Sequence, residues 1–177
     1  MINKFLIIIL PFILFGCGYT VRSNFPPDIK TIHIETFANK IPITEESYDR
    51  YSYRTYRPLL EVDITNAVIN RFIYYGSLKV VKEKDADLLL TGELKDFIRQ
   101  PLRTTSAGNV EEFRLNLVVD ITLKNTRKNE VMWIEEGLIG DTTYFASGTL
   151  AKSEAQAVDD AIKDLARRIA DRVVEGW

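Results

Sequence analysis

Residues 112–124 alternate with a period of two: Phe113, Leu115, Leu117, Val119, Ile121 and Leu123 are interleaved with Glu112, Arg114, Asn116, Val118, Asp120, Thr122 and Lys124. This is the repeat of a β-strand, and it puts six apolar side chains on one face of a sheet and a largely polar set on the other. Such a strand needs a second layer over its apolar face. Residues 125–130 supply a polar turn, and Val131-Met132-Trp133-Ile134 begins an antiparallel return. Residues 138–149 then cross the molecule, with Gly140 and Gly148 expected as breaks.

Two amphipathic segments can provide the covering layer. Leu60, Ile64, Val68, Phe72 and Tyr75 recur at helical spacing between Pro58, expected at the first helical position, and Gly76. Near the end of the chain, Ser153 and Gln156 fit a capping box. There Val158, Ala161, Ile162, Leu165, Ile169 and Val173 form a stripe opposite Asp159, Lys163, Asp164, Arg167, Arg168 and Arg172. Strand patterns also occupy residues 29–37, 78–81 and 86–94, the last running on towards Arg99. Strand, helix, several mostly antiparallel strands and helix make an α+β two-layer sandwich. The expected sheet is mixed, mostly antiparallel and of four to five strands, with both helices on one face.

The N-terminus sets an address. A short basic start, an apolar run over residues 5–15 too short to cross a bilayer comfortably, and Gly16 before Cys17 read as a cleaved lipoprotein signal over residues 1–16. Cys17 is the sole cysteine among 177 residues and is expected to carry the acyl chains, palmitate among them, that hold the protein to a membrane. A plain secretory signal and an uncleaved anchor helix are the competing readings. Gly18, where aspartate would favour retention at the inner membrane, points to the outer membrane. Residues 17–28, with Asn24 and Pro26-Pro27, read as a flexible leash, and residues 29–177 as one domain without disulfides. A formal charge of −2 disfavours a nucleic-acid role.

Catalytic patterns do not emerge. The chain lacks phosphate-loop, dinucleotide, zinc-helix and EF-hand signatures, and Ser106 and Ser147 lack nucleophile-elbow glycines. His33, the only histidine, reads as a half-exposed strand residue, and no metal or cofactor is implied. The carboxylate neighbours Asp85/Asp87, Glu111/Glu112 and Glu135/Glu136 read as solvated charges near strand ends. One segment stands out: Tyr48, Tyr51, Tyr53 and Tyr56 are interleaved with Arg50 and Arg54. Interfaces concentrate these residue types, although a loop folding back on its own sheet is an equal reading. Residues 99–109 are expected to form a polar tip between two strands.

The ordered pieces resemble the LPS-assembly lipoprotein family (LptE). The resemblance is carried by Cys17-Gly18-Tyr19-Thr20-Val21-Arg22, then Lys30-Thr31-Ile32-His33-Ile34 with Phe37 and Asn39, and Ala86-Asp87-Leu88-Leu89-Leu90-Thr91-Gly92. The strand through Phe113 and Leu123, Val131-Met132-Trp133 and the final helix follow. It implies a non-enzymatic lipoprotein at the periplasmic face of the outer membrane that plugs a β-barrel partner, helps it assemble, and assists lipopolysaccharide delivery to the outer leaflet. On that basis Tyr48, Tyr51, Tyr53, Arg54 and Tyr56 become candidate barrel contacts. Arg99 and Arg103, suited to bidentate phosphate contacts, become candidate lipopolysaccharide contacts. A lipoprotein regulator of peptidoglycan synthesis and a secretion-pore accessory lipoprotein are the alternatives.

Overall fold

The computed structural model describes residues 25–41, 53–54 and 57–176. The signal segment, Cys17, residues 18–24 and Tyr48, Tyr51 and Tyr56 lie outside the described residues. In chain order the elements are β1 (Thr31–Ile34), β2 (Ala38–Asn39), β3 (Tyr53–Arg54), α1 (Leu60–Tyr75), β4 (Lys79–Val80), β5 (Leu88–Thr104), β6 (Val110–Asn125), β7 (Glu130–Phe145) and α2 (Glu154–Glu175). Seven strand segments form one open mixed sheet with the main order β4-β1-β5-β6-β7. β4 and β5 pair with β1 in parallel, and β2 and β3 pair further along β5. β5, β6 and β7 form a long antiparallel meander.

The alternation decides which face is core. Leu115, Leu117, Val119, Ile121 and Leu123 of β6 are buried together with Leu88, Leu90, Leu94 and Phe97 of β5. Both helices lie on this face, α1 over β1, β2 and β4, and α2 over β6 and β7, and they pack against each other. Their buried stripes, including Leu60, Ile64, Val68 and Phe72 of α1 and Leu165, Ile169 and Val173 of α2, join the same core. This is the expected two-layer α+β sandwich.

Several local expectations give way to tertiary structure. β5 continues through Arg99 to Thr104, so Arg99 and Arg103 belong to a strand and only Thr105–Asn109 lie beyond it. Pro101 sits beside a register shift between Pro101 and Arg103, where an interrupted ladder tolerates a residue with no N–H. β7 runs uninterrupted through Gly140, which is no break. A side chain there would overlap Leu165 and lie 2.8 Å from the Ala161 carbonyl, so the glycine lets α2 approach the strand backbone. Gly92 of β5 likewise leaves room for the ring of Phe37. Pro58 precedes the helix; α1 is entered through Leu59, in the left-handed conformation at φ 65°.

Asp87 is a further correction. It is buried, not solvated, and it fastens the parallel corner of the sheet. Its Oδ2 accepts the N–H of Lys30 at 2.9 Å and of Thr31 at 3.0 Å, and its Oδ1 pairs with Arg127. Burial pushes the carboxyl up, but these N–H groups, Thr31 and the Arg127 guanidinium outweigh it and hold the group below the usual carboxylate range. Asp85 is exposed, whereas Glu135 is paired with Arg172 at 2.6 Å. His33 is half-buried, with Nδ1 2.9 Å from the Val81 carbonyl.

Candidate functional site

The candidate contact residues that fall among the described residues meet along the far half of β5. β3 lies antiparallel to it, with Tyr53 opposite Arg99 and Arg54 opposite Ile98. Part of the tyrosine and arginine segment therefore adds a strand beside the candidate cations. Sequence spacing could not reveal this, because the two pieces are separated by α1 and the parallel corner of the sheet.

The two arginines do not share an environment. Arg99 is opposite Leu115, whose side chain is buried on the helix-covered face. It pairs with Glu154 in the first turn of α2, and its guanidinium lies 4.9 Å from the Phe113 ring centroid. Phe113 stacks on Tyr144 at 5.6 Å and 23°. Burial and the nearby Glu154 raise the Tyr144 hydroxyl above its ordinary pKa, against the opposing effect of Arg99. Arg99 thus bolts the start of α2 to the hairpin, with its charge already compensated.

Arg103 follows the register shift. It is opposite Glu112, Glu112 is opposite Phe145, and its guanidinium lies 5.8 Å from the Phe145 ring. Phe145 is the neighbour of core-facing Tyr144, so Arg103 belongs to the open face. The extra residue, Leu102, reverses the parity that four-residue spacing would otherwise preserve. Arg103 is 61 % exposed and has one loose ion pair, to Glu112 at 3.7 Å. Arg114, opposite Gln100 on the same face, is exposed. Arg103 is therefore better placed than Arg99 to meet an external anion.

Nearer the middle of the open face lies a shallow groove of about 340 Å³, bordered by Glu35, Thr91, Glu93, Asp120, Thr122 and Glu136. Lys95 sits between Glu93 at 3.4 Å and Asp120 at 3.6 Å. The surplus of carboxylates repels phosphate and leaves the arginine-bearing end as the more suitable place for one. Among the described residues, no cluster of three or more histidine, cysteine, aspartate or glutamate side chains could hold a metal ion, and no helix is long and apolar enough to cross a membrane.

Comparison with solved structures returns the same architecture at low sequence identity. A minor lipoprotein from Acinetobacter baumannii is 18 % identical with a TM-score of 0.52, the alignment covering 85 % of this chain and 95 % of that one. A hypothetical protein from Chlamydia trachomatis is 14 % identical with a TM-score of 0.52, covering 82 % and 95 %. A protein from Xanthomonas campestris is 10 % identical with a TM-score of 0.52, covering 86 % and 88 %. Comparison with curated proteins returns no match. The family model LptE, lipopolysaccharide-assembly, matches residues 29–174, from two residues before β1 almost to the end of α2. With that match spanning the whole helix-backed sheet, the chain belongs to the LptE family of lipopolysaccharide-assembly lipoproteins, an outer-membrane family of Gram-negative bacteria.

Proposed function

We propose that this protein is a lipid-anchored, non-catalytic plug and assembly partner of a lipopolysaccharide-export β-barrel, held at the periplasmic face of the outer membrane through acyl chains on Cys17. The family match over residues 29–174 is the observation that carries this reading. The fold suits the task. One sheet face is sealed by two helices into a rigid core, while the other presents a mixed polar surface of the kind a water-filled barrel lumen accepts. The segment with Tyr48, Tyr51, Tyr53, Arg54 and Tyr56 is our candidate barrel contact, since its residue types supply aromatic area and polar heads and its strand Tyr53–Arg54 pairs with β5.

Arg103, with Arg99 behind the hairpin, is our candidate contact for lipopolysaccharide phosphates. Arg103→Gln is expected to weaken binding to lipopolysaccharide aggregates while leaving the melting temperature unchanged. Arg99→Gln should lower the melting temperature as well, because it strands Glu154. Equal affinity of Arg103→Gln and the parent protein would remove Arg103 from the site. The main test is affinity purification of the mature lipoprotein from detergent-solubilised outer membrane. A stoichiometric β-barrel protein is expected; recovery of a penicillin-binding protein, or of no barrel, would overturn the proposal.

A further inference from the structure

One end of the domain gathers features that the proposed barrel and lipopolysaccharide contacts do not use. β1, β4 and β5 start there in parallel register, with Thr31 opposite Lys79 and Ile32 opposite Leu88. β6 ends and β7 begins at the same place, with Asn125 opposite Glu130. Because α1 leads into β4 within a few residues, its C-terminus is there too. The C-terminus of α2 joins it, since Arg172 pairs with Glu135 and lies 4.7 Å from the Trp133 ring centroid.

Three large apolar or aromatic side chains are exposed at this end: Ile73 at 62 %, Tyr74 at 80 % and Val131 at 50 %. Tyr74 is the most exposed of the large hydrophobic residues among the described residues, and Arg71 lies over its ring at 5.5 Å. An exposed tyrosine beside an exposed isoleucine, at an end that also carries exposed lysines, matches the chemistry of a lipid–water interface. There an amphipathic ring sits at headgroup level and lysine stems extend to water.

The tether supplies the occupant. Phe25 packs against the core just before β1, and eight residue-to-residue steps connect it to Cys17. Fully stretched, that length reaches only about 28 Å. β5 alone is about 55 Å long at about 3.3 Å per residue, so the hairpin tip at Gly108 can stand far from the leaflet that holds the anchor while the end bearing Tyr74 cannot. Tethering also raises the local concentration of the bilayer, so an affinity too weak for a free protein suffices.

We propose that the end bearing Ile73, Tyr74 and Val131 is a membrane-contacting surface that rests in the interfacial layer of the phospholipid leaflet holding the acyl anchor. This rests on the anchor reading of Cys17. The exposed lysines Lys30, Lys79, Lys82, Lys84 and Lys128 are largely offset by Asp28, Glu83, Asp85 and Glu130, and Arg127 is paired with Asp87, so the contact is mainly apolar and aromatic rather than electrostatic. It serves to orient the domain, with the long hairpin directed from that leaflet towards the barrel lumen of the proposed complex.

The test uses the acylated full-length protein, in which Cys17 leaves no free thiol and a single introduced cysteine can be labelled. Lys79→Cys at the proposed contact and Ala107→Cys at the hairpin tip each carry an environment-sensitive fluorophore. Both proteins are reconstituted into vesicles of phosphatidylethanolamine and phosphatidylglycerol containing shallow spin-labelled lipid. Quenching at Lys79→Cys is expected to exceed that at Ala107→Cys at least two-fold, to persist in phosphatidylcholine alone, and to fall to the tip value when Ile73→Ser and Tyr74→Ser are added. Equal quenching at the two sites in protein that floats with the vesicles would overturn the surface while leaving the anchor intact. A requirement for phosphatidylglycerol would overturn its apolar basis. Failure to float would overturn the anchor, and the surface with it.

Discussion

Helix α2 begins at a reciprocal cap, in which the Gln156 N–H donates to Ser153 Oγ at 3.2 Å and the Ser153 N–H donates to Gln156 Oε1 at 3.0 Å. Helix α1, on the same face of the same sheet, begins at Leu59 with φ 65° and no side-chain cap. Ion pairs run along α2: Asp164 with Arg167 and Arg168, Arg168 with Asp141, and Arg172 with Glu135. α1 is held instead by contacts from distant parts of the chain. The Phe37 N–H donates to Thr65 Oγ1 at 3.0 Å, and the Tyr75 hydroxyl donates to Asp171 at 2.5 Å. Local chemistry specifies one helix and tertiary contacts specify the other, although both bury an apolar stripe in one core.

The sharpest way to break this contrast is Gly140→Ala, which attacks the tertiary side of the helix that is locally best specified. The new methyl would meet Leu165 and the backbone of α2, neither of which can swing aside as a flexible side-chain tip would. Overpacking of this kind costs about 3 kcal/mol, a fall in melting temperature of roughly 10 °C for a domain this size. Hydrogen exchange should speed up first in α2 and β7, with α1 following only near global unfolding. A change below about 1 kcal/mol would mean that α2 can slide on β7 and that its caps and ion pairs, rather than close packing, fix its position.

Gly140 also marks where sequence reading stopped. The alternation of β6, the stripes of both helices and the capping box at Ser153 were legible because each is a local, repeating pattern. Gly140 carries the usual signature of a break, and only the presence of Leu165 against it turns that signature into a contact. Asp87 was misread for a similar reason: its partners Lys30 and Thr31 lie more than fifty residues away, so a buried carboxylate looked like a solvated one. At the candidate site, Arg99 and Arg103 were read as parts of one polar tip, whereas β5 runs through both and the bulge at Leu102 places them on opposite faces. Glu154 was visible as an acid at a helix start, but nothing local tied it to Arg99.

A second test separates the ion pairs of α2 from its packing. Asp164 accepts the Asp141 N–H at 3.1 Å, at the edge strand β7 of the described sheet, and binds Arg167 and Arg168 at 2.7 Å. Burial raises its carboxyl, but the Arg167, Asp141 and Arg168 hydrogen bonds outweigh that and hold it below the usual carboxylate range. A depressed folded value means that the stabilisation is present above the unfolded value of about 4 and is lost as pH falls through the folded one. Asp164→Asn should therefore melt below the parent at pH 7, and the gap should close as pH falls below about 4. Asp87 titrates in both proteins and largely drops out of the difference. A gap independent of pH would assign the loss to packing. Ser153→Ala should cost about 1 kcal/mol at any pH in this range, because the lost cap is uncharged.

The smallest effect addresses the start of α1 and has the opposite sign. The left-handed conformation of Leu59 costs a side-chain-bearing residue about 1 kcal/mol or more, and its side chain is 63 % exposed and adds little packing. Leu59→Gly removes that strain but gives the unfolded chain extra freedom, which offsets about half of the gain. The expected result is stabilisation by about 0.5 kcal/mol, read as a higher urea midpoint with an unchanged slope. Ser153→Gly at the start of α2 should lower the midpoint instead, through a stability loss of about a few tenths of a kcal/mol. Opposite signs for the same incoming residue are what the two modes of helix entry require: α1 tolerates a strained first turn because Thr65, Phe72 and Tyr75 hold it from outside. If Leu59→Gly were destabilising, Leu59 would have to contribute contacts to the start of α1 that its exposure does not suggest, and the contrast between the helices would narrow to their ion pairs.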